Sequence, residues 1–63
     1  MAQGYYELKK STTDTTQPYY FVLKAANHEV IATSEMYKTK QAAQNGIESV
    51  QANGSTQTVK DLT

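Results

Sequence analysis

The sequence predicts an α+β fold: an antiparallel sheet, one helix packed on a single face of it, and a short closing strand. Three observations carry that reading. Residues 5–10, 19–26 and 29–34 alternate in polarity or are rich in aromatic and β-branched side chains, the composition of short strands. The second and third runs meet at Asn27-His28, which marks a hairpin. Residues 39–54, "TKQAAQNGIESVQANG", set Ala43, Ile47 and Val50 at i, i+4 and i+7 between a Thr and a Gly, which is the layout of an amphipathic helix. The 63 residues form one domain, 1–63.

The first strand, "YYELKK", puts Tyr6 and Leu8 on one side and Tyr5, Glu7 and Lys9 on the other, a half-buried pattern. "STTDTTQP", residues 11–18, is polar and ends in Pro18, which reads as a loop whose proline opens the next strand. In "YYFVLKAA", Phe21, Leu23 and Ala25 share one face, and Tyr20, Val22 and Lys24 the other. A two-residue turn at Asn27-His28 needs positive φ at both positions, which Asn tolerates well and His is enriched in. That turn sets Ala26 opposite Glu29, Ala25 opposite Val30, Leu23 opposite Ala32 and Phe21 opposite Ser34. The inner face then narrows toward small residues, and small residues let a helix sit close.

Thr39 is the expected helix N-cap, and Gly54 the expected left-handed terminator. Lys40, Gln41, Gln44, Glu48 and Gln51 lie mostly off the apolar stripe. Gly46 sits mid-helix, where it costs about 1 kcal/mol against Ala. Either it marks close packing against the sheet or another helix, or it is a tolerated glycine. "STQTVKDLT" closes the chain as a short, weak strand: Gln57, Val59 and Asp61 fall on one face, and Thr58, Lys60 and Leu62 on the other.

Bulk properties narrow the function classes. A domain of this size buries only about 60% of its unfolded surface and usually needs a staple or a partner. There is no Cys for disulfides, and one His cannot supply a structural zinc, so oligomerisation is the remaining route. Six basic residues, all Lys, balance six acidic ones. A nucleic-acid binder normally carries a basic stripe and uses Arg forks, so this balance argues against that class. "MAQGYYELKK" lacks the apolar core of a signal peptide, and no run approaches a membrane span, which leads us to expect a soluble, cytoplasmic protein.

Residues 21–50, "FVLKAANHEVIATSEMYKTKQAAQNGIESV", resemble the YegP-like family of small bacterial domains of unknown function. The resemblance rests on Leu23-Lys24-Ala25, Ala26-Asn27, Val30-Ile31-Ala32, Ser34-Glu35, Tyr37 and Asn45-Gly46-Ile47-Glu48-Ser49-Val50. "GYYELKK" and the terminal "VKDLT" match the family's opening and ending. Where the family hairpin is usually Asn-Gly, this chain has Asn27-His28. Where its second strand often carries Arg, this one has Tyr20, Val22 and Lys24, so no anion-binding role of those arginines transfers. The resemblance implies a β-β-β-α-β unit that either occurs in tandem or dimerises. Two units would form one continuous sheet with both helices on the same face and with exchanged C-terminal strands. A single-unit chain would then be a homodimer in which residues 56–60 pair with the other subunit.

The chemistry-bearing residues are few. His28, the lone imidazole, falls in a turn without a nucleophile or carboxylate partner in view. Ser34, Glu35, Tyr37 and Lys38 form the densest polar cluster, at the strand-to-helix junction. It could line a pocket, or satisfy backbone groups there while Tyr37 covers the core edge. Tyr5 and Tyr20, with Tyr19 nearby, could give the open sheet face a stacking surface for single-stranded nucleic acid. The carboxylates are dispersed and the three glycines isolated, so no metal pair and no phosphate loop is expected. The expectation is a non-enzymatic binding or interaction module, homodimeric, with no cofactor, metal or membrane partner. Two alternatives remain open: nucleic-acid binding through the tyrosine-bearing face, and an enzyme with a site at the dimer seam near Ser34, Glu35 and Tyr37.

Overall fold

The computed structural model describes residues 3–63, so the first two residues of the expected 1–63 domain lie outside the described part. Three strands, β1 (Tyr5–Lys10), β2 (Tyr19–Lys24) and β3 (Val30–Thr33), precede one helix, α1 (Lys40–Asn53). The sheet is antiparallel in the order β1-β2-β3. These are the three strands and the helix expected from the sequence.

Alternation assigns the two faces. β1 and β2 pair with Tyr6 opposite Leu23, Leu8 opposite Phe21 and Lys10 opposite Tyr19, which sets these six on the helix side. Glu7 opposite Val22 and Lys9 opposite Tyr20 set the other face. The loop between β1 and β2 is held by its own side chains. Ser11 Oγ accepts from the N–H groups of Thr13 and Asp14 at 3.1 and 3.2 Å. The Asp14 carboxylate accepts from the N–H groups of Thr16 and Gln17 at 3.0 and 2.9 Å. Such turns are what Ser and Asp do locally. Buried Pro18 then leads into β2, its carbonyl accepting from Ser11 N–H at 2.6 Å.

The hairpin corrects the two-residue expectation. Ala25 pairs with Glu29, not Val30: Ala25 N–H donates to Glu29 O at 2.8 Å, and His28 N–H donates to Ala25 O at 2.9 Å. His28 alone has positive φ, 72°. This is a three-residue loop closed by a left-handed residue. The added residue is absorbed a step later, where Lys24 pairs with Val30 but Leu23 with Ala32, leaving Ile31 as a bulge. Beyond it the expected register holds, with Leu23 opposite Ala32 and Ser34 N–H donating to Phe21 O at 2.9 Å.

Thr39 caps α1 as expected, with extended backbone and its hydroxyl accepting from Ala42 N–H at 3.0 Å. Gly54 ends the helix, but in right-handed conformation (φ −68°, ψ −16°) with its N–H on Val50 O at 2.6 Å, so the expected left-handed terminator is not used. The helix lies over β2 and β1 and not over β3. Ala43 is fully buried, Ala42, Gly46, Ile47 and Val50 are half-buried, and Phe21 and Val22 are each 5% exposed. Gly46 settles as a close-packing glycine. A Cβ there would lie 2.5 Å from Tyr37 Oη and 3.0 Å from Phe21 Cε2.

The closing strand does not form within this chain. Residues 55–63 are exposed throughout, with Val59 at 86% and Leu62 at 92%, and belong to no ladder. Their hydrogen bonds are local ones, such as Thr63 N–H to the Asp61 carboxylate at 2.9 Å. Each face of the tail offers one apolar side chain, and that is too little to offset the entropy of ordering it.

Candidate functional site

The polar cluster at the strand-to-helix junction is engaged in holding the fold. Ser34 Oγ accepts from Phe21 N–H at 2.9 Å and donates to Glu35 O at 2.7 Å, so the hydroxyl stitches the end of β3 to β2. Tyr37 forms an isolated bridge with Tyr19, N–H to O at 2.7 and 3.0 Å in the two directions. Its ring stacks on Phe21, centroids 6.2 Å apart and planes 15° apart, and its hydroxyl end lies against Gly46. Tyr37 therefore wedges the helix onto the sheet. Glu35 and Lys38 are exposed on either side. The cluster is in place as a group, but Ser34 and Tyr37 face backbone and core.

Tyr5 and Tyr20 lie on the same face by alternation but at opposite ends of it, Tyr5 opposite Lys24 and Tyr20 opposite Lys9. Four residues of strand separate their positions on β2, a span of about 13 Å. Between them the face is closed by an ion pair, Lys24 Nζ to Glu7 Oε1 at 3.0 Å, with Lys9 Nζ at 3.7 Å from the same oxygen. The hydrogen bond and charge of Lys24 hold the Glu7 carboxyl below the usual glutamate range, and Glu7 in turn raises the Lys24 ammonium. One carboxylate between two ammoniums leaves a single net positive charge in the middle of this face. Tyr5 turns to the hairpin, its hydroxyl 2.7 Å from His28 Nδ1 and the two rings edge to face at 5.8 Å. His28 thus fastens the turn to β1.

A different place offers a concave surface. A cleft of about 330 Å³ is lined by Leu8, Lys9, Lys10, Tyr19 and Lys40, where the ends of β1 and β2 meet the start of α1. Lys10 Nζ lies over the Tyr19 ring at 5.6 Å from its centroid. Of these residues the sequence points to Tyr19 alone as a binding candidate, and on the open face of the sheet. Leu8, Lys10, Tyr19 and Lys40 come from three elements, and in advance only alternation along β1 and the cross-strand pairing of Lys10 with Tyr19 could link any of them. Among the described residues no group of three or more His, Asp or Glu side chains could hold a metal ion, and no helix is long and apolar enough to cross a membrane.

Three antiparallel strands with one helix wedged over two of them define a small α+β domain of the β-β-β-α kind. The chain belongs to the YegP-like family: residues 14–61 match the family described as "Domain of unknown function (DUF1508)". It is 53% identical over 57 residues to the UPF0339 protein YegP of Escherichia coli (strain K12), a match covering 90% of this chain and 52% of that protein. It is 60% identical over 53 residues to the UPF0339 protein plu2779 of Photorhabdus laumondii, covering 84% of this chain and 44% of that one. The chain thus spans about half the length of the curated relatives it matches. A protein from Haloferax volcanii solved by NMR in solution is similar in structure, with a TM-score of 0.74 and 28% identity over 97% of this chain and 100% of the other.

Proposed function

We propose that the chain is a homodimeric, non-enzymatic binding module whose two copies exchange residues 56–60. The observation that carries this reading is the apolar surface left bare on edge strand β3 and on the unpaired tail. Edge strand β3 shows Val30 at 53% and Ile31 at 61% exposed, and the unpaired tail shows Val59 at 86% and Leu62 at 92%. A bare edge is a template for another strand, and the tail is the segment whose alternation suits one. A tail docked on the partner's β3 would cover both sets of side chains and extend one sheet across the pair. The lengths fit the idea. Curated relatives have room for two such units, while the Haloferax volcanii chain matches this one over its whole length.

The reading as a binding module rests on how the polar residues are used, since Ser34 and Tyr37 are occupied by backbone and core. Sedimentation equilibrium at low micromolar concentration tests the assembly. The expected mass is twice 7.0 kDa, falling to the single value when Val59 and Leu62 are both changed to Asp. A stably folded species of single mass at high micromolar concentration would overturn the proposal.

A further inference from the structure

We propose that the cleft between the end of β1, Tyr19 and the start of α1 is a binding site for a small organic phosphate, the phosphate held by Lys10 and Lys40 and the organic part lying on Leu8 and Tyr19. The lining joins a half-buried apolar wall, Leu8 and the Tyr19 ring, to ammonium groups on its rim. Its volume, about 330 Å³, lies at the lower end of small-molecule pockets.

The charges around it are unbalanced in one direction. Alternation places Lys10 on the helix side with Leu8 and Tyr19, while Lys9 is turned to Glu7 at 3.7 Å. Among the described residues, Lys10 and Lys40 form no ion pair. The carboxylates nearest Lys10 in sequence are committed elsewhere, Glu7 to Lys24 at 3.0 Å and Asp14 to the N–H groups of its own loop. No carboxylate lines the cleft.

Lys40 adds to the imbalance. It is the first residue of α1, whose first turn holds no acidic residue, so a cation sits at the positive end of the helix where an anion is ordinarily preferred. A chain that is neutral overall has gathered two unneutralised cations on one concave surface. Local rules are broken in this way where a ligand resolves the conflict. A phosphate dianion would neutralise both cations, and the aromatic floor selects for a phosphate carried on a ring or other flat group.

The cleft lies on the β1 side of the sheet, away from edge strand β3, so the dimer and the phosphate site stand or fall separately. The test is a titration of ¹⁵N-labelled protein followed by amide shifts, with phenyl phosphate as probe and inorganic phosphate, phenol and a short single-stranded RNA as comparators. Phenyl phosphate should give saturable shifts at residues 8–10, 19 and 40–41, with inorganic phosphate and phenol each weaker. Lys10→Ala and Lys40→Ala, both at exposed positions, should each weaken binding about tenfold, the effect of losing one charge-assisted contact, while the far-UV spectrum stays unchanged. Absent saturation, shifts indifferent to both substitutions, inorganic phosphate binding as tightly, or RNA binding more tightly at the same amides would each overturn the assignment.

Discussion

Replacing Gly46 with Ala sets two effects against each other, and the structure says which wins. On an exposed helix the change would gain about 1 kcal/mol, because Gly is a poor helix former. Here the new Cβ would stand 2.5 Å from Tyr37 Oη and 3.0 Å from both Tyr37 Cζ and Phe21 Cε2, against the 3.4–4 Å of ordinary contact. The tyrosine cannot easily retreat. Its backbone is bridged to Tyr19 in both directions and its ring is stacked on Phe21, itself 5% exposed. Overpacking of this kind costs about 1–3 kcal/mol. The net expectation for Gly46→Ala is a loss of about 1 kcal/mol, or roughly 4–8 °C in Tm for a domain this small. The assay is urea and thermal unfolding by far-UV circular dichroism at fixed protein concentration, because coupled association would make Tm concentration-dependent. Adding Tyr37→Phe removes the atom at 2.5 Å, so the double variant should recover part of the loss, with a coupling of about 1 kcal/mol. A Gly46→Ala protein more stable than the parent, or a strictly additive cycle, would refute the wedge of Tyr37 between helix and sheet.

Two further outcomes follow from the hairpin and the open face. His28→Gly should raise stability by a few tenths to about 1 kcal/mol, because relief of a left-handed residue at φ 72° outweighs loss of one exposed hydrogen bond to Tyr5. His28→Val should lower it, and the opposite order in thermal melts would show that the Tyr5–His28 contact dominates the turn. For the ion pair, the depressed Glu7 carboxyl contributes stability that is present above its ordinary value of 4.5 and is lost as pH falls through the lower folded value. The raised Lys24 contributes below its ordinary value of 10.5, and that part is lost as pH rises through the higher folded value. Glu7→Gln should therefore flatten the acid limb of Tm against pH below about 4.5, and added salt should shrink the difference. Parallel acid limbs in parent and variant would place the acid sensitivity elsewhere.

The parts of the fold that could be read in advance are those governed by alternation. Phe21, Leu23, Ala32 and Ser34 share one face in both sequence and structure, with Leu23 opposite Ala32 as expected, because a one-residue slip would turn that whole set outward. Near the turn alternation loses its hold. Ala25 and Val30 were mispaired because a left-handed His28 and a bulged Ile31 cancel each other's phase, leaving no trace two residues further on. The helix caps divide in the same way. Thr39 needs only its own hydroxyl, whereas the conformation of Gly54 depends on the chain beyond it, which is unpaired. The candidate site was the least legible part. Ser34 and Tyr37 look like chemistry in one dimension, but their partners, Phe21 and Gly46, lie 13 and 9 residues away on other elements and draw them into the framework. Lys10 and Lys40 carry no signal at all until β1 and α1 are brought side by side.

The final strand belongs to a different category, because a strand pattern is a statement about an edge as much as about a sequence. A helix is about 10 Å across and strands lie about 4.8 Å apart, so one helix shelters about two strands. In this chain α1 covers β2 and β1, with Gly46 letting it settle onto Phe21, and the third strand is left bare. Ala32 occupies the inner-face position assigned to it and is nonetheless exposed, along with Val30 and Ile31. No repacking of a single 14-residue helix can cover β3 without uncovering β1. In the proposed dimer, a second unit of this fold would continue beyond β3 on the same side through its own sheet and helix. The tail, with Val59 and Leu62 on opposite faces, gains order only if both of its faces are covered, and an edge roofed by a neighbouring unit offers that where open solvent beside β3 does not.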